Sequence, residues 1–155
     1  MSAEASLETV CRKIGLRVPP VPKPVGSYRP VVLAGGFAYL SGQLSKDADG
    51  HLVTGKVGKE VTLEKGREAA QWATLQALSL VQGEIGLDRV EQVVRLSGFI
   101  QSGPDFYSQS DVMNAASELL VEVFGEKGRH ARTSVGVASL PLNAAVEIEL
   151  TLKLK

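Results

Sequence analysis

Cysteine is nearly absent from this chain of 155 residues, with Cys11 its sole example. That excludes an intrachain disulfide and any thiolate metal cluster built by one chain, and it suits a reducing compartment. Histidine is almost as scarce: His51 and His130 stand far apart, with no HExxH or similar spacing. A metal site normally needs three or more well-placed ligands, so no metal is expected. Asp47-Ala48-Asp49-Gly50 lacks the distal glutamate of a calcium loop and reads as a turn. GxGxxG, P-loop and GxSxG patterns are missing, as are internal repeats. No stretch reaches the ~18 apolar residues that span a bilayer. The first twenty residues carry Glu4, Glu8, Arg12 and Lys13 and do not read as a secretory signal. A cytoplasmic protein without membrane contact is the expectation. Excess charge is also lacking, since 17 basic residues balance 17 acidic ones. With aromatics at 5%, that argues against a surface that tracks a nucleic-acid backbone and stacks its bases.

What is present fits one domain with a real core: the hydrophobic fraction is 44% and mean hydropathy is +0.06. Leu7, Val10 and Ile14 share one face of a helix over residues 3–16, which Gly15 and Pro19-Pro20 stop. Residues 1–25 read as that helix plus a proline-rich extension. Strands are expected over 28–34 and 37–44, joined by the hairpin signal Gly35-Gly36, and a short one over 51–54 after Asp49-Gly50. Thr62 is a candidate N-cap for a helix over 63–85 whose apolar stripe is Ala70, Ala73, Ala77, Leu80 and Val81. A long strand follows over 90–101, then a helix over 106–124 closed by Gly125. Two last strands cover 131–138 and 145–153, the final one with its apolar side chains alternating with polar ones. This order, β-β-β-α-β-α-β-β after an N-terminal helix, is an α+β fold. Two long helices cover one face of a mixed sheet. The other face has no helix left, so a partner subunit is expected there.

The segment 132–149 carries the chemistry. Arg132 heads an apolar strand, and an unpaired buried cation costs several kcal/mol or more. It either pairs with Glu147 or Glu149 across a hairpin or grips a small carboxylate through its two-pronged guanidinium. Ser134 and Gly136 share its face and leave room beside it. Glu147 lies deeper in the final strand than Glu149 and is the better group to act on water. Ser41, at the end of Ala38–Gln43, reads as a strand end entering a turn. Asn114 sits mid-helix, where asparagine is mildly unfavourable, and faces solvent or bonds to a loop. His51 reads as a surface residue. His130 reads as part of a charged loop that lies close to a possible anion site.

These residues together resemble the YjgF family, also called Rid for reactive intermediate deaminase. The resemblance covers about residues 26–153. It rests on Gly26-Ser27-Tyr28, Ser41-Gly42-Gln43, the Asn114 helix, Arg132, and Leu140-Pro141 followed by Val146-Glu147-Ile148-Glu149. It implies a chorismate-mutase-like fold, a homotrimer and active-site clefts between subunits. It implies that Arg132 binds the carboxylate of a small imino or enamino acid, such as 2-aminoacrylate or its 2-imino tautomer. Tyr28, Ser41 and Asn114 match further substrate-site positions, and Glu147 matches the glutamate that positions or activates water. Ser134 stands where many members carry cysteine, and Ser27 where many carry proline. With the N-terminal extension, these departures mark a longer-chain subfamily. The activity implied is hydrolytic deamination of a 2-imino acid to a 2-oxo acid and ammonia, with no cofactor. A non-catalytic sensor of small carboxylates is the second reading. A ribonuclease or translation inhibitor, as in older family labels, is the third.

Overall fold

Gly35 and Gly36 take the left-handed conformations (φ 60° and 82°) that a tight hairpin requires. They join β1 (Val31–Ala34) to β2 (Phe37–Leu40). These coordinates, a computed structural model, describe residues 1–24 and 26–155. Val25, inside the proline-rich extension, lies outside the described residues. After β2 come β3 (Gln43–Leu44), α2 (Leu63–Glu84), β4 (Val90–Gln101), α3 (Gln109–Phe124), β5 (Ala131–Val137) and β6 (Val146–Leu154). The helix α1 (Ala3–Ile14) precedes them all.

The sheet has six strands in the order β1-β2-β6-β4-β5, with β3 paired to the other end of β6. Only β4 and β5 run parallel; the other pairings are antiparallel. α3 is the crossover that a parallel pair demands. In β6, Val146, Ile148, Leu150, Leu152 and Leu154 are buried, while the residues between them are not. This period of two gives the sheet one face against α2 and α3 and one face without a helix. α2 begins at Thr62, whose side chain accepts from the Lys65 amide at 3.1 Å. Its Leu75, Leu78 and Leu80 are fully buried, so α2 is the centre of the core.

α1 is capped by Ser2 and ended by Gly15 at φ 74°. It packs on α3, with Lys13 bridging to Glu122 at 3.1 Å. The extension then crosses to α2, where the Ser79 hydroxyl donates to the Pro19 carbonyl at 2.7 Å.

Five expectations need correction. The last two strands do not form a hairpin, because β4 lies between β5 and β6. Residues 51–54 make only isolated bridges, at Leu52 and Thr54, and the third strand is Gln43–Leu44. The expected strand over 37–44 is therefore two strands broken at Ser41-Gly42. Strand β1 starts at Val31, not residue 28, and α3 starts at Gln109, not residue 106.

Candidate functional site

Arg132 is register-paired with Leu96 of β4, so its side chain leaves the sheet on the helix side. There its Nη1 donates to Asn114 Oδ1 at 2.8 Å and to Ser117 Oγ at 3.1 Å, both on α3. Asn114 and Ser117 are three apart and therefore share a helix face. No acid among the described residues lies in ion-pair range of the guanidinium. Both Nη1 protons are thus engaged by neutral oxygens, while Nη2 and Nε have no bond among the described residues. That remaining edge is one of the two-pronged faces by which arginine takes a carboxylate.

Two more side chains complete this cluster. His130 Nε2 is 2.9 Å from Ser117 Oγ, and its Nδ1 is 2.6 Å from the Gly128 carbonyl oxygen. Burial first, and then the Arg132 cation, hold the imidazole pKa below its ordinary value, against an opposing bond to the Gly128 carbonyl. Ser134 shares the Arg132 face, opposite Gly98. Its Oγ is sealed from solvent and has no hydrogen-bond partner among the described residues.

Glu147 belongs to a second cluster. It is register-paired with Phe99 and Leu44 and projects from the sheet face without helices. Arg132 and Glu147 therefore leave the same sheet in opposite directions, and the ion pair considered for them does not form. Burial, and then the neighbouring Glu149 charge, push the Glu147 carboxyl pKa up. Gly42 packs against it: a Cβ there would sit 2.8 Å from Glu147 Oε2. On its other side Gly42 lines a groove with Tyr28, Pro30, Gln43, Leu44 and Leu142. Ser41 flanks that groove, with its hydroxyl donating to the Arg29 carbonyl at 2.6 Å. Hence Tyr28, Ser41 and Glu147 gather around Gly42, while Asn114, Arg132 and Ser134 gather on the helix side of β5.

Comparison with known proteins bears directly on this pattern. The sequence profile described as "YjgF/chorismate mutase-like, putative endoribonuclease" matches residues 8–154. The chain belongs to the YjgF family. Within it, the protein TCP17 of Trypanosoma cruzi is 43% identical over 145 residues, 92% of this chain and 91% of that one. A 2-iminobutanoate/2-iminopropanoate deaminase of Dermatophagoides farinae is 33% identical over 135 residues, 86% of this chain and 91% of that one. The crystal structure of a protein of unknown function from Agrobacterium tumefaciens superposes with a TM-score of 0.91. It is 35% identical and covers 99% of this chain and 95% of its own. The chorismate-mutase-like α+β fold is thereby shown, N-terminal helix included.

For a YjgF-family chain, two residues stand out that sequence reasoning passed over. Ser117 carries no motif, but its spacing from Asn114 was a usable signal. Gln101 is 2% exposed, and its side chain bonds Asn143 Oδ1 and the Leu140 amide, each at 2.8 Å. It ties down the Pro141–Asn143 turn, in which Leu142 and Asn143 adopt positive φ (58° and 61°). Leu142, 73% exposed, is thereby presented at the rim of the Tyr28 groove. No group of three or more potential metal ligands occurs among the described residues. Nor is any described helix long and apolar enough to cross a membrane.

Proposed function

We propose that this protein is a hydrolytic deaminase of small 2-imino or enamino acids, assembled as a homotrimer with clefts between subunits. One observation carries the reading. The Arg132 guanidinium is held by two neutral side chains through a single nitrogen, and no acid among the described residues meets its Nη2–Nε edge. The deaminase name borne by the Dermatophagoides farinae relative supports the substrate class.

The two clusters on opposite sheet faces support a shared site. In such a site the Arg132 group of one subunit faces the Tyr28–Ser41–Glu147 group of the next. Arg132 fixes the substrate carboxylate by two parallel hydrogen bonds. Asn114 and Ser134 border that position, and Tyr28 and Ser41 border the substrate from the partner side. Water adds to the imine carbon as Glu147 accepts one of its protons. That proton passes to nitrogen; the C–N bond then breaks as the carbinol O–H gives its proton to Glu147, so that ammonia leaves and the 2-oxo acid remains. A protonated imine is already electrophilic, so positioning and general-base help account for the rate, each contributing on the order of 10²–10⁴-fold. An elevated carboxyl pKa suits the base role, since it brings Glu147 nearer the working pH.

The test generates 2-aminoacrylate in situ and follows ammonia release. Arg132→Ala is expected to lower kcat/KM by about 10²-fold or more, and Arg132→Lys by nearly as much because lysine cannot fork. Equal rates for wild type and Arg132→Ala overturn the assignment. Saturable heat on binding 2-oxobutanoate with no turnover would instead establish a carboxylate sensor.

A further inference from the structure

Arginine is always a donor, so Ser117 Oγ can only accept from Arg132. The single proton of that hydroxyl is then free to go to His130 Nε2, 2.9 Å away. The Gly128 carbonyl, 2.6 Å from Nδ1, can only accept, so Nδ1 carries a proton, and in the neutral imidazole Nε2 is then bare. Every partner in the chain Arg132 to Ser117 to His130 to Gly128 thus has a fixed direction. Nothing in it is reversible while the histidine stays neutral. The half-buried setting of the ring and the adjacent guanidinium favour that neutral form.

We propose that Ser117 and His130 are positioning residues for the substrate carboxylate: they lock the Arg132 guanidinium so that its Nη2–Nε edge points out of the chain. The inference rests on the deaminase reading for its consequence in catalysis, but the clamp itself is a property of the folded chain. Asn114 alone would fix one Nη1 proton and leave the guanidinium free to swing about that contact. Ser117 supplies the second point, and His130 keeps the Ser117 hydroxyl from turning its proton toward the arginine. His130 itself is held by Gly128, in the short helical turn Gly125–Gly128 that closes α3. The α3–β5 connection therefore reaches the substrate-binding edge through three hydrogen bonds.

Two measurements decide it. Nitrogen-15 NMR of the imidazoles, at neutral pH, should show His130 neutral with its proton on Nδ1. Ser117→Ala should shift the Nε2 resonance and lower the order parameter of the Arg132 Nε–H group. A His130 protonated on Nε2, or an Arg132 order parameter unchanged in Ser117→Ala, overturns the clamp. In kinetics, Ser117→Ala should raise KM about tenfold with kcat within twofold, and Ser117→Thr should restore KM. A KM unchanged in Ser117→Ala, in an active wild type, overturns its role toward substrate. If the wild type releases no ammonia, the deaminase reading is what fails, and the NMR result alone then decides the clamp.

Discussion

Glu147 shows how one residue can be costly to the fold and yet suit the role proposed for it. Its carboxyl pKa is raised by burial and by Glu149, so folding favours the protonated form. The contribution to stability is full below the ordinary carboxylate value of about 4.3 and is lost as pH rises through the higher folded value. At pH 7 the folded chain therefore carries a disfavoured charge. Glu147→Gln should raise Tm at pH 7 by about 1–2 °C, a small gain because solvent still screens this half-exposed site. The gain should vanish at pH 4, while deaminase activity is lost throughout. Thermal melts at the two pH values check this, and an equal or lower Tm at pH 7 contradicts it. Arg132 shows the converse economy, being held by neutral oxygens that orient it without cancelling its charge.

At the scale of elements, the turn between α3 and β5 has little freedom. A Cβ on Gly128 would overlap the Leu120 carbonyl and lie 2.9 Å from Val121 Cα, both backbone atoms of α3. Backbone cannot swing aside as a side chain can, so Gly128→Ala should cost about 1–3 kcal/mol. Urea denaturation should record that loss with an unchanged m value, and a variant as stable as wild type would show that the turn can give way. Much at this scale was legible in the sequence. Thr62 and the alanine-leucine stripe located α2 to within a residue, and strand β4 runs over 90–101 as its β-branched composition indicated. Alternation along β6 correctly separated Glu147 and Glu149 from the buried Ile148. What local pattern could not reveal was strand order. Periodicity says which face a residue takes but not which strand lies beside it, and the Leu140-Pro141 turn resembles a hairpin connection. Inserting β4 between β5 and β6 moved Arg132 and Glu147 onto opposite faces, a non-local fact that no window of sequence contains. Ser117 went unrecognised for the same reason, and His130 was placed near an anion site without its partner: α3 and β5 meet only in the folded chain.

For the whole molecule, the sheet face without helices sets the problem. Val32, Tyr39 and Val135 are 48%, 47% and 40% exposed there, across both edges of the sheet. Apolar exposure of this breadth is typical of a surface that another subunit covers. Glu147 lies on the same face and Arg132 does not, so burying this face against a second copy is the route by which the two clusters can meet. Assembly and activity should then fail together. Val135→Asp places a charge on the face proposed to be covered while leaving the α2 core untouched. It should convert the proposed trimer of the 16.5 kDa chain to monomer, with unchanged circular dichroism and no deaminase activity. Arg132→Ala should lose activity but remain a trimer. Light scattering coupled to size-exclusion chromatography, run beside the ammonia assay, separates these outcomes. A Val135→Asp monomer that still turns over substrate would mean that one chain holds a complete site, which the opposed directions of Arg132 and Glu147 forbid unless another residue replaces one of them.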